Sequence, residues 1–379
     1  MIRILHSVSN MDRAGIETML MNFYRHMDRD KVQFDFLCNK PDRGAYDEEI
    51  RSLGGRIFVS PGFMSCRKYA KFMTELLNEH PEYRIIHTHN GSLMIYALES
   101  AKKNKVPIRI AHAHATAVPV GLKNQLKKFM RPMIKYAATD YWGCSNAAGE
   151  FYFSEKRWNN SNELIHNAID VDNFTFNQKI RDEIREKYGF GDKLVIGNVG
   201  RMMAQKNQKK LLDVFAEIQK INPNTHLVLI GTGELENELR QQAENLGITD
   251  SITFTGVLSN VNEWYSAIDV FVMTSLYEGL PVVAIEAQAA DLPCVLTDTI
   301  TPEVKITQNV QFLGLYDEPK KWAQAILNFK PTERVSRRAE LQKAGYDIET
   351  EAKRMQELYL NLYSKIQEGK NENRNSYSS

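Results

Sequence analysis

Two carboxylates separated by seven residues, Glu278 and Glu286, frame the stretch of this 379-residue sequence that holds the most chemistry. It runs Thr274-Ser275-Leu276-Tyr277-Glu278-Gly279-Leu280-Pro281-Val282-Val283-Ala284-Ile285-Glu286 and follows Val270-Phe271-Val272-Met273, an apolar run of strand composition. Gly279 allows a tight turn in which backbone approaches a ligand closely. Pro281 suits the first position of a helix, where its missing N–H costs nothing. The free amides of that helix's first turn then point back toward the strand end and make an anion site. A ligand whose phosphates meet those amides while its sugars meet the two carboxylates is a nucleotide sugar.

Other residues extend this chemistry. Arg201 follows Gly200 at the end of the strand-like run Leu194–Val199, and Lys206 lies in the same loop. A guanidinium grips phosphate with two parallel N–H bonds and an ammonium is a compact point charge, so the two together neutralise a diphosphate. Asn207 looks like the N-cap of a helix over 208–222. Gly15 opens a helix after Asn10-Met11-Asp12-Arg13-Ala14 and can bring backbone near a phosphate or sugar. Gly231-Thr232-Gly233 forms a glycine loop short of a full dinucleotide fingerprint. Two pairs, His87-Thr88-His89 and His112-Ala113-His114, stand where buried strands run out, and alternation puts both imidazoles of a pair on one side. Both a four-histidine metal site and a set of packed, hydrogen-bonded histidines fit that spacing, but no Asp or Glu accompanies them as a metal's outer shell usually does. Asp170-Val171-Asp172 has the spacing of a metal-bound diphosphate site.

The elements that must position these groups alternate between strand and helix. Strand candidates fall at 2–8, 33–38, 56–59, 84–88, 108–113 and 140–144, then at 194–199, 226–230, 270–273, 294–297 and 311–315, with helices over 17–26 and 319–329. Such alternation predicts an α/β fold of mostly parallel sheets, whose ligands bind beyond the carboxyl ends of the strands. The length suits two domains, 1–170 and 193–348. Residues 171–192 are polar and charged and read as the crossing between them. Trp264 and Tyr265 read as core. Ala352, Met355, Leu358, Leu362 and Ile366 recur at helical spacing, and the Asn- and Ser-rich 370–379 reads as a disordered tail.

Composition narrows the classes. With 43% hydrophobic and 25% charged residues the chain reads as globular. No run approaches the ~18 apolar residues of a spanning helix, and the N-terminus turns polar too soon for a signal peptide, so a cytoplasmic protein is expected. Cys38, Cys66, Cys144 and Cys294 lack metal-ligand spacing and read as packing residues. The first 170 residues carry 24 Lys and Arg against 18 Asp and Glu, the remainder 24 against 29, which is too mild for a nucleic-acid binder. The basic, amphipathic stretch 121–136 fits peripheral contact with an anionic membrane surface, interrupted at Pro132. A solvated charge face fits it equally.

Glu278-Gly279-Leu280-Pro281 with Glu286 resembles the E-x7-E signature of family 4 glycosyltransferases, which are retaining enzymes of the GT-B fold: two Rossmann-like, doubly wound domains with an interdomain cleft. The likeness extends through Ala14-Gly15-Ile16-Glu17, His112-Ala113-His114, Asn167-Ala168-Ile169-Asp170, Gly200-Arg201 with Lys206, and Gly231-Thr232-Gly233. Ala14 and Ala168 stand where family members commonly have Gly. The resemblance implies a helix over 349–368 packed back on the first domain, and it reads Asp170 as part of the domain junction rather than a metal ligand. It implies donor contacts at Gly15, Gly200, Arg201, Lys206, Gly231, Val257, Glu278, Gly279, Leu280 and Glu286, with the base received near Val257 and the ribose at Glu286. It implies His114 at the donor sugar, His112 being the fallback, and a catalytic set of His114, Glu278, Arg201 and Lys206. His89, His112 and Asn167 fall on the acceptor side or in supporting positions. No cofactor and no metal are implied. The function it implies is transfer from a nucleotide sugar, a UDP-sugar, to a glycan or lipid-linked glycan in bacterial exopolysaccharide or capsule assembly. A sugar-nucleotide 2-epimerase of similar fold and an idle nucleotide-sugar-binding partner are the alternatives.

Overall fold

A computed structural model describes residues 1–115, 130–160, 162–329 and 333–375. Two compact units divide the chain: Met1–Ile169 with Ile348–Ser379, and Asp170–Asp347. The first is built on β1 (Ile2–Val8), β2 (Val32–Cys38), β3 (Ile57–Val59), β4 (Ile85–Thr88), β5 (Ile108–Ala113), β6 (Asp140–Gly143) and β7 (Glu163–Leu164). They form a parallel sheet in the order β3-β2-β1-β4-β5-β6-β7. The second is built on β8 (Leu194–Val199), β9 (Thr225–Ile230), β10 (Ile252–Gly256), β11 (Val270–Met273), β12 (Cys294–Thr297) and β13 (Val310–Leu313), also parallel, in the order β10-β9-β8-β11-β12-β13. Each order is doubly wound and reverses beside its first strand, at β1/β4 and at β8/β11; crevices for ligands open beyond the strand ends at such reversals.

Helices on both faces bury the strands, so the strands read as near-continuous apolar runs. β2 is buried throughout, including Asp35. That carboxylate is tolerated because Arg3 meets it with two bonds of 2.6 Å, and the Tyr83 hydroxyl and Arg56 amide each donate to it at 2.7 Å. The helix Ile348–Asn375 sends Ile348, Ala352, Met355 and Tyr359 into the core of the first unit among Ile4, Phe34, Phe36 and Trp142. In the second unit Leu211, Leu212 and Phe215 of the helix Gln208–Ile221 and Trp322 and Ile326 of the helix Pro319–Leu327 pack on Leu227, Leu229 and Val272.

Three expectations change. Residues 171–192 are not a free crossing: Val171–Phe174 and Gln178–Lys187 are helices of the second unit. Their charges are spent on that unit, Arg181 and Arg185 both gripping Asp269, at 2.6 and 3.1 Å. The last helix continues to Asn375, through residues expected to be disordered, because adding a residue to an existing helix is far easier than nucleating one; residues 376–379 lie outside the described residues. Cys66 is exposed at the start of a helix, whereas Cys38, Cys144 and Cys294 are buried as expected. Of the basic stretch 121–136, residues 121–129 lie outside the described residues, and Pro132 sits in a 3-10 turn before the short helix Ile134–Ala137. No described helix is long and apolar enough to cross a membrane.

Candidate active site

In the second unit the loops after β8, β9, β10 and β11 meet backbone to backbone. The amide of Gly231 donates to the Gly256 carbonyl at 2.9 Å, and that of Met202 to the Thr232 carbonyl at 2.9 Å. Gly231 has φ +127°, and a Cβ there would stand 2.4 Å from the Gly200 carbonyl oxygen. A Cβ on Gly233 would stand 2.1 Å from that of Met202. These glycines are thus required by the neighbouring loop rather than by a ligand. Val257, just beyond β10, is 74% exposed.

The loop after β11 is sewn to the turn Ala204–Lys206. The Leu276 amide donates to the Gln205 carbonyl at 2.8 Å and the Thr274 hydroxyl to the Asn207 carbonyl at 2.9 Å. Gln205 donates from its side chain to the Tyr277 carbonyl at 3.0 Å and to Glu278 Oε2 at 3.3 Å. Lys206 Nζ reaches Glu278 Oε1 at 2.7 Å, with both side chains mostly buried. Arg201 beside them is exposed. Asn207 occupies the cap position, but its side chain caps nothing; its left-handed backbone, φ 51°, is what turns the chain into the helix, a conformation Asn tolerates well. Pro281 sits one position earlier than expected, at the cap of the helix Val282–Ala289. On that helix Glu286 accepts from the Tyr265 hydroxyl at 2.7 Å. Burial pushes the Glu286 carboxyl up to about 7, with the Tyr265 bond acting in the opposite direction. Burial and the Glu286 charge raise Tyr265 well above its ordinary value, which keeps it a donor.

In the first unit, Gly15 opens the helix Gly15–His26 without a side-chain cap from Ala14, and a Cβ on it would meet nothing within 4 Å. Next to it, at the β1/β4 reversal, Ser9, Glu17, Phe63, His89 and Asn90 help to line a cavity of about 290 Å³. Glu17 is buried there, and burial raises its carboxyl above the usual range. His87 and His89 share a face with His112 and His114, as alternation requires, but their bonds run between strands. His87 Nε2 faces His112 Nδ1 at 3.1 Å, and His89 Nδ1 faces His114 Nε2 at 2.9 Å. His6 of β1 joins them, its Nδ1 3.0 Å from His89 Nε2. His112 has no exposed surface, which removes it as a contact for an acceptor or a donor sugar; His114 is half-buried. The trios His6, His87, His89 and His89, His112, His114 have nitrogens within 4.8 Å of one another, close enough to consider a metal. Asn167 is half-buried, its Oδ1 enclosed with no partner among the described residues.

The second unit therefore gathers Gly200, Arg201, Lys206, Gly231, Val257, Glu278, Gly279, Leu280 and Glu286 around its strand ends, and the first unit holds Gly15, His89, His112, His114 and Asn167. Sequence reasoning missed Gln205, His6, and the hydroxyl of Tyr265, which is buried as expected but holds Glu286. The signal for Tyr265 was available: a buried tyrosine needs a partner for its O–H.

Residues 13–173 match the model of Glycosyltransferase Family 4, and residues 180–347 that of Glycosyl transferases group 1. The chain is 36% identical over 360 residues to the protein named glycosyltransferase EpsF of Bacillus subtilis, an alignment covering 92% of this chain and 93% of that one. It is 23% identical over 318 residues to the UDP-Gal:alpha-D-GlcNAc-diphosphoundecaprenol alpha-1,3-galactosyltransferase of Escherichia coli, covering 78% and 79%. The crystal structure of Anabaena HepE in complex with UDP superposes with a TM-score of 0.72 at 17% identity, covering 97% of this chain and 99% of that one.

Two doubly wound domains, the second carrying a lysine-braced carboxylate and a further carboxylate on the next helix, define a GT-B glycosyltransferase. The chain belongs to glycosyltransferase family 4 and is a glycosyltransferase.

Proposed function

We propose that this enzyme moves a sugar from a UDP-sugar to a lipid-linked glycan, with retention of configuration, without metal or cofactor, in exopolysaccharide or capsule assembly. The observation that carries the reading is the Lys206–Glu278 pair at 2.7 Å beside Arg201 and the start of the helix Val282–Ala289. As the sugar leaves, negative charge grows on the diphosphate; Arg201 and Lys206 bring two positive charges, one of them offset by Glu278, and the helix amides add fixed donors. The carboxylates of the Asp170-Val171-Asp172 spacing are engaged elsewhere, Asp170 by Asn173 and Asp172 by Arg338. Both oxygens of Glu278 are committed to Lys206 and Gln205, which favours same-face attack, with the leaving phosphate taking the acceptor's proton, over a covalent intermediate. UDP is supported by the HepE complex, and a diphospholipid acceptor by the name of the Escherichia coli relative.

The test is a UDP-sugar panel incubated with a polyprenyl-diphosphate glycan in EDTA. Product of retained anomeric configuration is expected. Activity lost in EDTA and restored by manganese overturns the metal-free reading, and a new nucleotide sugar formed without acceptor identifies an epimerase.

In this reading Glu286 accepts from the ribose hydroxyls. With its carboxyl at about 7, the accepting anion forms as pH rises. UDP-glucose affinity should therefore improve about tenfold between pH 6 and pH 8. Glu286→Gln should bind about ten- to hundredfold more weakly at pH 8, the scale of one charge-assisted bond, and lose the pH dependence. Calorimetry showing equal affinity in both proteins removes Glu286 from the ribose.

A further inference from the structure

Five histidines of the first unit, His6, His87, His89, His112 and His114, lie on or just beyond three adjacent strands and form two separate strings. One runs His6 Nδ1 to His89 Nε2 at 3.0 Å, then His89 Nδ1 to His114 Nε2 at 2.9 Å. The other runs from the Tyr359 hydroxyl to His87 Nδ1 at 2.6 Å, then His87 Nε2 to His112 Nδ1 at 3.1 Å. The first string begins deep in the core, where His6 packs against Phe34 with ring centroids 4.1 Å apart, and ends at half-buried His114. Burial keeps these rings neutral by lowering their affinity for a second proton.

A neutral imidazole has one N–H and one bare nitrogen, and each contact in the string needs one of each. The three tautomers are therefore tied together. Either all three rings carry the proton on Nδ1, or all three carry it on Nε2. The two ends of the string, His6 Nε2 and His114 Nδ1, have no partner among the described residues, and the choice turns on which of them can hold an N–H. In the second arrangement His6 Nε2 is an orphaned N–H deep in the core against Phe34, where no ligand can take it up. In the first it is a bare nitrogen, and the far end of the string, His114 Nδ1, carries an N–H. That atom is also enclosed and has no partner among the described residues, so each arrangement leaves one N–H unmet, but here it stands on half-buried His114, the end of the string nearer the surface. The metal alternative fits less well, because the nitrogens along each string already face one another at hydrogen-bond distance, and among the described residues the groups close enough to hold an ion are histidines without a carboxylate.

We propose that His6 and His89 are positioning residues that hold His114 as its Nδ1–H tautomer, so that it offers a hydrogen bond to an oxygen of the transferred sugar. This rests on the reading that His114 meets the sugar. The Nδ1–H form is the minor one for histidine in water, so finding it is informative in itself.

Long-range ¹⁵N–¹H correlation spectra of the resting, EDTA-treated protein assign the tautomers without any substitution. His6, His89 and His114 are all expected as Nδ1–H. His6→Phe removes the donor at the buried end; it should return His114 to a mixture and lower kcat about tenfold, the scale of one neutral hydrogen bond, with KM for UDP-glucose unchanged. His6→Asn places an amide N–H where Nδ1 stood and should restore both the spectrum and kcat. An Nε2–H signal for His114 in the native protein, or a His114 spectrum indifferent to His6→Phe, overturns the proposal. So does stoichiometric uptake of Zn²⁺ that abolishes the histidine cross-peaks, in favour of a metal site. If turnover falls in His114→Ala while His6→Phe changes nothing, the string is refuted and the role of His114 stands. If the tautomers are coupled as expected but turnover ignores His114→Ala, the role of His114 at the sugar is what fails.

Discussion

Between pH 8 and pH 5.5 the first unit is expected to lose several kcal/mol of stability through its buried histidine cluster. His6, His87, His89 and His112 are fully or almost fully buried, and burial lowers all four, His6 to about 3 and the others well below 6.5. In the unfolded chain they titrate near 6.5. A depressed folded-state value means that the stabilisation is fully present above 6.5 and is lost as pH falls toward the folded value. Each ring then contributes a loss on the order of 1 kcal/mol between pH 8 and pH 5.5. Against a domain stability of roughly 5–15 kcal/mol this decides whether the unit is folded. The second unit has an opposing contribution: Glu286 is raised from 4.5 to about 7, so its burial costs least at low pH, which offsets His226, lowered to about 4. Urea unfolding followed by calorimetry or hydrogen exchange should show the first unit failing well before the second at pH 5.5, with uptake of protons. Equal stability of the first unit at the two pH values would mean that the cluster titrates like histidine in water.

Lys206→Ala and Arg201→Ala are each expected to lower turnover by roughly two to three powers of ten, the range for a lost transition-state donor. The structure separates the two. Arg201 is exposed, so its loss should leave the fold intact. Lys206 is bound to Glu278 at 2.7 Å, and its removal leaves a largely buried carboxylate with only Gln205, so stability should fall as well. The ammonium has three donors, enough to keep Glu278 and still meet a phosphate. Adding Glu278→Gln to Lys206→Ala should recover the lost stability and none of the turnover. If turnover returns as well, Lys206 serves only to neutralise Glu278 and does not act on the diphosphate.

Strand ends and the loops that carry the site were legible because apolar runs stop abruptly at Gly or polar residues: β1, β5, β8, β11 and β12 begin and end where the residues indicate. The pairing of those loops was not. Glu278 and Lys206 are distant in sequence and meet only because β8 and β11 are neighbours. The histidine spacing showed that each pair shares a face, yet the bonds run between strands, and parallel register is invisible in a single run of residues. The charge of 178–187 reads as solvation until Asp269, far along the chain, is seen to take up both arginines.

The helix Ile348–Asn375 also bears on how the protein is made. The second unit is continuous in the chain, whereas the core of the first stays open until Ile348, Ala352, Met355 and Tyr359 arrive. On the ribosome the second unit can close first, while Ile4, Phe34 and Trp142, synthesised earlier, wait for their last partners. A translation product that stops short of residue 348 would carry a finished second unit and, in the first, an apolar surface in need of a chaperone.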